Sequence, residues 1–352
     1  MFLTGIGTAL PAHRYTQTEC WEALRASPLF DTLPSRARAI LRKVLTGSNG
    51  IATRHLALDP LHEAFHLTPD NAQRRFTLHA PDLAARAGAS ALAHAGLRPD
   101  QIDAVLVSTC TGYLCPGLTS YVSERLGLRP DTLCLDLVGQ GCGAALPNLA
   151  TAHALLAAGR AAHTLSICVE VCSAAFYLDE DPGVLISACL FGDGAAAAVG
   201  STSPKPGARP VHWTASASTT RTDLRDELRF EHRDGLLRNI LKPSVPTLAA
   251  ESAAGLLDRT LAARDLPRDA IRSWVWHAGG RDVLTAVRSR LGLDDHALRH
   301  SHSVLRDCGN LSSPCVLFVL DRALRDSAPD GPWWMSSFGA GFSCHGALLT
   351  VG

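Results

Sequence analysis

The apolar residues of this chain fall into short continuous runs that alternate with longer stretches rich in alanine and leucine. The runs Ala104–Ser108, Leu133–Val138 and Trp274–Trp276 have the length of strands, while Ala144–Ala158 has the length and composition of a buried helix. Strands that alternate with helices in this way predict an α/β fold with mixed sheets covered by helices.

The second half of the chain repeats the order of segments found in the first. In each half a polar segment precedes a predicted strand, which is followed by a glycine-containing turn and a helix. Further along, a glycine-rich turn precedes the last predicted strand of the half. The matched segments are Leu97–Ile102 with Leu266–Ile271, Arg125–Leu128 with Arg290–Leu293, and Phe191–Gly194 with Phe338–Gly341. An ordered repeat of this kind predicts two duplicated halves.

The natural connection between the halves is rich in serine, proline and glycine and extends from Ser201 to Pro210. We therefore expect an N-terminal half at residues 1–200, a linker at 201–215 and a C-terminal half at 216–352. Two such halves face each other around a pseudo-twofold axis. A site at their junction would draw residues from strand ends of both.

Composition narrows the classes of function. The 352 residues are 46% apolar, which is enough for a large two-part core. The 33 basic and 33 acidic residues balance, which gives no reason to expect nucleic acid or an anionic membrane as the main partner. The sequence has no signal-peptide pattern and no run of about 18 apolar residues. We expect a cytoplasmic protein.

The 11 cysteines raise the alternative of a metal-binding or redox protein. The candidate ligands are Cys110, Cys115, Cys168, Cys172, His296, His300 and His302. No Cys-x-x-Cys pair occurs, the two cysteine pairs lack a second pair at metal-site spacing, and the histidines lie in a polar stretch expected at the surface. We predict free thiols in a reducing compartment and no metal.

The clearest sign of chemistry is Gly141–Gly143, a cysteine between two glycines at a strand-to-helix turn. A helix N-terminus offers unpaired N–H groups and a partial positive charge, which favour thiolate over thiol. The glycines allow close approach of a substrate. Pro147 is tolerated only near the start of a helix, so the helix begins at or just after Cys142. The alternative is an ordinary core cysteine.

Two further polar residues lie beside apolar runs. His277 follows the predicted strand Trp274–Trp276 and precedes two glycines, and Asn310 lies just before the run Cys315–Leu320. Taken singly, each is more typical of a structural histidine and of a turn asparagine. Together with Cys142, they provide a nucleophile, its base and a hydrogen-bond donor for an enolate oxygen. This set lacks a carboxylate, which favours decarboxylation of a malonyl group over hydrolysis.

At this point the sequence resembles the type III polyketide synthases, the chalcone synthase-like branch of the thiolase superfamily. The resemblance extends from Gly5 to the carboxyl terminus. The segments that carry it are Gly5–Pro11, Ser108–Gly112, Pro116-Gly117, Gln140–Cys142, Leu190–Ala196, His277–Gly280, Gly309–Ser313 and Phe338–Phe342. The resemblance implies a thiolase-like fold with αβαβα layers and a homodimer. It also implies acyl- and malonyl-coenzyme A substrates, with no cofactor.

The resemblance also implies roles for single residues. Cys142 would load the acyl starter, and His277 and Asn310 would promote decarboxylation of the extender. Phe191 would be a gatekeeper between the entry tunnel and the cavity. Further substrate contacts are expected at Cys110, Cys115, Cys172, Ala175, Ser187, Ser312 and Gly341. Coenzyme A phosphates are expected at Arg42 and Lys43, where a solvated helix face is the alternative.

Some positions depart from the family pattern. The methionine that reaches into the partner's cavity is replaced by Cys115, and Cys172 and Ala175 stand where plant members often have threonine. The second phenylalanine gatekeeper falls near Asn239, in a stretch that cannot be aligned securely. The smaller side chains predict a wider or differently shaped cavity, so a plant-type starter is not assumed.

We therefore predict iterative decarboxylative Claisen condensation of malonyl-coenzyme A onto an acyl starter at Cys142. Cyclisation would give a resorcinol, phloroglucinol or pyrone. The alternative is a single-round ketoacyl synthase, acting on coenzyme A or carrier-protein thioesters, or another Claisen enzyme of this fold. The starter, the number of extensions and the cyclisation mode depend on cavity shape, which motifs do not encode.

Overall fold

Thirteen strands and eleven α-helices form the part of the chain described by the computed structural model, residues 1–66 and 68–352. The strands are β1 Phe2–Ala9, β2 Arg14–Thr16, β3 Thr53–His55, β4 Ala104–Thr109, β5 Leu133–Val138, β6 His163–Glu170, β7 Gly194–Ser201, β8 Val211–Thr220, β9 Leu228–Arg233, β10 Leu236–Leu241, β11 Ser273–Trp276, β12 Gly331–Gly339 and β13 Ser343–Val351. The helices are α1 Gln17–Arg25, α2 Pro28–Thr32, α3 Ser35–Thr46, α4 Pro69–Ala95, α5 Leu118–Leu126, α6 Ala145–Ala157, α7 Pro182–Leu190, α8 Val245–Ala262, α9 Arg281–Leu291, α10 Arg299–Cys308 and α11 Cys315–Arg325.

The two halves of the chain have the same strand order. Strands β5-β4-β6-β7-β1 form one half-sheet and β11-β12-β13-β8 form the other. With the edge strand β5 set aside, the outermost pair of each half is parallel (β4 with β6, β11 with β12), and the next two pairs are antiparallel. Within the described residues, the second half-sheet has no strand that corresponds to β5. The duplication predicted from sequence is therefore confirmed in the topology.

The half-sheets meet edge to edge, where β1 pairs with β8 through Phe2 and His212. Helices α6 and α11 form the central layer, because each contacts strands of both half-sheets. Helices α4 and α5 cover the outer face of the first half, and α8 covers that of the second, with α9 packed against α8. The result is the predicted αβαβα layering.

Helix α6 is held in the central layer by one buried amide as well as by apolar packing. Asn148 is 1% exposed, and its Nδ2 donates to Ser108 Oγ at 2.9 Å and to the Ile167 carbonyl at 3.2 Å. These bonds join the helix to β4 and β6. Leu146, Leu149 and Leu156 of the same helix are buried in the main hydrophobic cluster.

Several predicted boundaries are close to those observed. Strand β5 coincides with the run Leu133–Val138, and α6 is one residue shorter at each end than Ala144–Ala158. The connection between β7 and β8 covers residues 202–210, and the predicted division into 1–200, 201–215 and 216–352 stays a prediction.

No helix among the described residues is long and apolar enough to cross a membrane.

One expectation about the histidine cluster is wrong. His296 is exposed and His302 is half-buried, but His300 is only 5% exposed. The polar stretch continues into the amphipathic helix α10, whose inner face buries His300 and Ser301 together with Val304 and Leu305. Helical spacing, and not average polarity, decides which residues are buried here.

Candidate active site

The nucleophile turn lies at the end of β5, where Gly141–Gly143 forms a single 3₁₀ turn that leads into α6. Gly141 has φ +55°, a left-handed conformation that favours glycine. A Cβ on Gly339 would lie 2.3 Å from the carbonyl oxygen of Gln140 and 2.6 Å from the amide nitrogen of Gly143. The turn is thus packed against the β12–β13 turn so closely that a side chain at Gly339 has no room.

Ser312 connects the nucleophile to the loop before α11. The Cys142 Sγ lies 3.2 Å from the Ser312 Oγ, and the Ser312 amide donates to Asn310 Oδ1 at 2.8 Å. Ser312 has φ +58°, which is uncommon for a residue with a side chain. A conformation of this kind costs about 1–3 kcal/mol and is typical of functional sites.

Asn310 connects that loop to the loop of His277. Its Nδ2 donates to the Gly279 carbonyl at 3.1 Å, which leaves the second hydrogen of the amide unused by this bond. The Asn310 amide nitrogen donates to the Leu190 carbonyl at 2.9 Å, and its carbonyl accepts from Gly192 at 2.9 Å. These bonds hold Asn310 beside Phe191, its bridge partner.

His277 lies at the end of β11 and is 1% exposed. Its ring packs edge-on against Phe338, with centroids 5.1 Å apart. Neither ring nitrogen has a hydrogen-bond partner among the described residues, so the structure brings His277 into the site without a direct bond to Cys142 or Asn310. A buried imidazole with two free nitrogens is available to a ligand.

Burial keeps both members of the Cys–His pair neutral. Burial raises the pKa of the Cys142 thiol to about 12, a rise that the hydrogen bond from Ser312 partly opposes. Burial lowers the pKa of His277 to about 3. The imidazole is therefore uncharged near neutral pH. It can accept a proton at one nitrogen and donate a hydrogen bond from the other.

A buried carboxylate lies near the site, and the sequence analysis missed it. Glu170 is fully buried at the end of β6, and burial raises its pKa while several hydrogen bonds oppose the rise. Its donors are Thr109 Oγ1 (3.2 Å), the Cys110 amide (3.0 Å), Cys110 Sγ (3.3 Å), Thr111 Oγ1 (2.8 Å) and Ser313 Oγ (2.5 Å). The sequence signal was a lone acidic residue inside the apolar run 167–172.

Glu170 reaches the nucleophile only through other side chains. Cys110 Sγ, which bonds to Glu170, lies 3.5 Å from the same Ser312 Oγ that contacts Cys142. Burial and the nearby Glu170 raise the pKa of Cys110 well above its usual range. The catalytic set predicted to lack a carboxylate therefore has Glu170 nearby, three contacts from Cys142 by way of Ser312 and Cys110.

The duplicated topology explains why these residues meet. Cys142 precedes the central helix of the first half, and Asn310 and Ser312 precede the equivalent helix of the second. His277 follows β11, and Cys110 follows the equivalent strand β4. The site therefore uses corresponding strand ends and helix N-termini of both halves.

A cavity adjoins this group of residues. Five of the predicted substrate-contact residues line it: Cys172, Ala175, Ser187, Phe191 and Ser312. Asn239 also lines the cavity, and so do six residues that the sequence did not indicate as lining residues: Thr111, Phe176, Tyr177, Val184, Ala188 and Phe230. Their positions depend on the β9–β10 hairpin and on the 176–188 segment, which no local motif marks.

The remaining predicted residues lie elsewhere. Cys115 is exposed, and Gly341, with φ +113°, lies in the β12–β13 turn near Thr220. Arg42 and Lys43 are exposed on α3 and line a surface groove together with Trp21, Arg25, Phe30 and Arg38. Among residues 1–66 and 68–352, no group of three His, Cys, Asp or Glu side chains has the arrangement of a metal site.

Comparison with family models identifies the chain along most of its length. Residues 31–212 match the model of FAE1/type III polyketide synthase-like proteins, and residues 235–350 match that of the C-terminal domain of chalcone and stilbene synthases. The chain belongs to the type III polyketide synthase family. It is therefore a malonyl-coenzyme A-dependent condensing enzyme of the acyltransferase class, with coenzyme A thioesters as substrates.

Curated relatives cover almost the whole of this type III polyketide synthase. It is 32% identical to a 1,3,6,8-tetrahydroxynaphthalene synthase of Streptomyces peucetius subsp. caesius, over 99% of this chain and 92% of that protein. It is 31% identical to a 3,5-dihydroxyphenylacetyl-CoA synthase of Amycolatopsis balhimycina, over 98% and 91%. The relatives support iterative condensation and not the single-round alternative.

Solved structures agree on the fold. The structure of PKS-I from the brown alga Ectocarpus siliculosus matches with a TM-score of 0.91 at 23% identity, over 99% of this chain and 97% of that one. A fungal type III polyketide synthase matches with a TM-score of 0.85 at 24% identity, over 100% and 99%. The thiolase-like fold predicted for the polyketide synthase is confirmed.

Proposed function

We propose that Cys142 carries the acyl chain and that His277 and Asn310 activate malonyl-coenzyme A. The observation that carries this proposal is the linked contact set in which Ser312 bonds to Asn310 and lies against Cys142, while Asn310 holds the His277 loop through Gly279. One nucleophile and two neutral hydrogen-bonding groups thus belong to one contact set, which meets the cavity at Ser312. This geometry fits acyl transfer followed by enolate formation.

The loading step follows from the neutral pair. His277 accepts the proton of the Cys142 thiol, and the thiolate attacks the carbonyl of an acyl-coenzyme A. The C–S bond to coenzyme A breaks, His277 returns the proton to the departing sulfur so that coenzyme A leaves as its thiol, and the acyl group remains on Cys142. The helix N-terminus and the Ser312 hydroxyl stabilise the developing thiolate, which offsets part of the cost of burial.

The condensation step uses the free hydrogen of the Asn310 amide and an N–H of His277. Both donate to the thioester oxygen of malonyl-coenzyme A while its C–C bond to the carboxylate breaks and carbon dioxide leaves. The enolate carbon then attacks the acyl carbonyl on Cys142, a C–C bond forms, and the Cys142 thiolate departs. Transfer of the extended chain back to Cys142 allows the next round.

The product is proposed to be a polyhydroxylated aromatic ring or a pyrone. The names of the two relatives describe such aromatic products, a tetrahydroxynaphthalene and a dihydroxyphenylacetyl thioester. Cys172 and Ala175 supply small side chains to the cavity wall, and Phe191 stands at its edge beside Asn310. Ring closure of a resorcinol or phloroglucinol type needs a wall of this kind to fold the chain.

Mass spectrometry of products from malonyl-coenzyme A and a panel of short, long and aromatic acyl-coenzyme A starters tests the proposal. We expect products with several malonate-derived units from the wild type and none from Cys142→Ala. Cys142→Ala retains the release of carbon dioxide, whereas His277→Ala and Asn310→Ala lose it. Condensed product from Cys142→Ala contradicts the assignment, and single-extension products from the wild type favour a ketoacyl synthase.

Coenzyme A is proposed to bind along α3. The helix carries four basic residues and no acidic one, and Arg42 and Lys43 lie beside the aromatic rings of Trp21 and Phe30 in the groove. Phosphates fit the cations and an adenine ring fits the aromatic faces. Arg42→Ala with Lys43→Ala should raise the KM for malonyl-coenzyme A with little change in kcat. An unchanged KM would leave α3 as a solvated face.

We also propose a cytoplasmic location for this enzyme. We further propose that two copies of the chain form a homodimer through the edge strand β5. This edge strand leaves Leu133 at 44% exposure and Val138 at 59%, and the exposed Cys115 lies on the same half of the molecule. Apolar exposed edges are normally covered. Val138→Lys should convert a dimer into monomers in sedimentation experiments. A wild-type monomer at micromolar concentration contradicts the proposal.

A further inference from the structure

The hairpin of β9 and β10 forms one wall of the active-site cavity. Phe230 and Asn239 are directly opposite each other in the register of the two strands, so their side chains are on the same face. Both line the cavity, together with Phe191. An aromatic ring and an amide are thus presented side by side to whatever fills the cavity.

Contacts on both sides fix the hairpin in this place. A Cβ on Gly183 would lie 2.0 Å from the carbonyl oxygen of Leu241, so α7 and β10 approach as closely as a glycine allows. Arg238, adjacent to Asn239, is 11% exposed and donates to Asp179 at 2.6 Å and to Glu231 at 2.8 Å. The direction of the Asn239 side chain is therefore set by the fold.

The side-chain oxygen of Asn239 has no hydrogen-bond partner in the described part of the chain. The residue is 7% exposed, and its Oδ1 is buried without a hydrogen bond among the described residues. Two other polar groups of the same wall are already engaged, because Thr111 Oγ1 donates to Glu170 and Ser187 Oγ donates to the Gly183 carbonyl. A buried polar atom that lacks a partner is rare and points to a ligand that supplies one.

We propose that Asn239 binds the oxygen atoms of the growing poly-β-ketoacyl chain and favours its extension over early release. The inference rests on the proposed function, which makes that chain the occupant of the cavity. Such a chain carries a carbonyl on alternate carbons. The Nδ2 of Asn239 donates to a keto oxygen, and its Oδ1 accepts from an enol hydroxyl. Phe230 packs against the intervening carbons.

Hydrogen bonding to Asn239 distinguishes a poly-β-ketoacyl chain from a long alkyl chain as the occupant of the cavity. A long alkyl segment beside Asn239 would leave the buried amide without a partner, which is unfavourable. An oxygen-rich chain pairs it at each stage of extension. Asn239 is therefore assigned as a specificity-determining residue for oxygen-rich chains, near the place where the family resemblance led us to expect a second phenylalanine gatekeeper.

The test compares Asn239→Leu, which keeps the size and removes the amide, with Asn239→Gln, which keeps the amide. Val184→Ala is the matched control, since it changes the volume of the same wall without changing its polarity. Each protein receives malonyl-coenzyme A labelled with carbon-13, and mass spectrometry gives the ratio of full-length to early-released products. Release of carbon dioxide is measured in parallel, and the thermal midpoint reports on folding.

We expect Asn239→Leu to lower the ratio of long to short products about fivefold, the effect of losing one hydrogen bond. Asn239→Gln should stay nearer the wild type than Asn239→Leu. An unchanged ratio in Asn239→Leu, with carbon dioxide still released, overturns the role of Asn239 and leaves the proposed function intact. An equal fall in Val184→Ala also overturns it, because volume would then be the cause. If the wild type releases no carbon dioxide from malonyl-coenzyme A, both proposals fail.

Discussion

Lowering the pH from 8 to 5 should destabilise the protein in part through His345, a buried histidine beneath the nucleophile turn. His345 is 4% exposed, and its Nδ1 lies 2.8 Å from Ser218 Oγ, while its Nε2 has no hydrogen-bond partner within residues 1–66 and 68–352. A Cβ on Gly143 would be 3.3 Å from that Nε2. A proton on this nitrogen would therefore be buried beside the catalytic turn without an acceptor.

The sign and size of this change in the free energy of unfolding follow from the pKa of His345. Burial lowers the pKa of His345 from 6.5 to about 4 in the folded protein. Above pH 6.5 the ring is neutral in both states and contributes nothing to the pH dependence. As the pH falls below 6.5, the unfolded chain binds the proton first, so the free energy of unfolding decreases until the folded pKa is passed. At pH 5 the loss is about 2 kcal/mol.

Thermal midpoints of the wild type and His345→Gln, measured from pH 8 to 5 at one protein concentration, check this reasoning. Other buried histidines also titrate, so the quantity that matters is the difference between the two slopes. The variant should lose about 3 °C less than the wild type, given the unfolding entropy of a chain of this length. His296→Gln, at an exposed position, is the control. Identical pH dependence in wild type and His345→Gln refutes the argument.

Three further substitutions test the packing of the site. Gly339→Ala places a Cβ against the backbone of the nucleophile turn and should lower condensation at least tenfold in steady-state assays, whereas Gly255→Ala, in a helix, should not. Ser312→Ala removes the hydroxyl that lowers the pKa of Cys142 and should slow iodoacetamide labelling of Cys142 about fivefold, as followed by peptide mass spectrometry; an unchanged rate would be unexpected. Arg238→Met removes the 2.6 Å ion pair with Asp179, which then keeps only the exposed Arg233 at 3.9 Å, and should lower the free energy of unfolding by about 2 kcal/mol in urea titrations; no loss would show that the hairpin is held by packing alone.

Local runs of sequence predicted the elements that carry the chemistry, because each run is bounded by glycine. The nucleophile turn after β5 and the end of β11 at His277 are where the patterns indicated them. The repeat also predicted that the two halves would match, and the strand order bears this out. These features depend on the spacing of apolar residues and on the positions of turn residues, both of which can be read from a single sequence.

Features that depend on distant partners were not predictable in the same way. Glu170 is a lone acidic residue until Thr111 and Ser313, far apart in the chain, are seen to donate to it. The position of Asn239 depends on how the β9–β10 hairpin packs on α7, and that stretch could not be aligned securely from sequence. Burial of His300 required the helical register of α10, which average polarity concealed.

The shared central layer restricts how this enzyme can be divided or recombined. Leu149 of α6 and Leu320 of α11 belong to one hydrophobic cluster, and α6 contacts β12 and β13 while α11 contacts β1 and β7. If one half were expressed alone, one face of its central helix would lose the strands of the other half that cover it. Chimaeras that exchange whole halves between homologues would have to match every residue of that layer. In the described residues, β9 and β10 pair only with each other and not with the main sheet. This hairpin is therefore the segment best suited to altering the cavity by grafting.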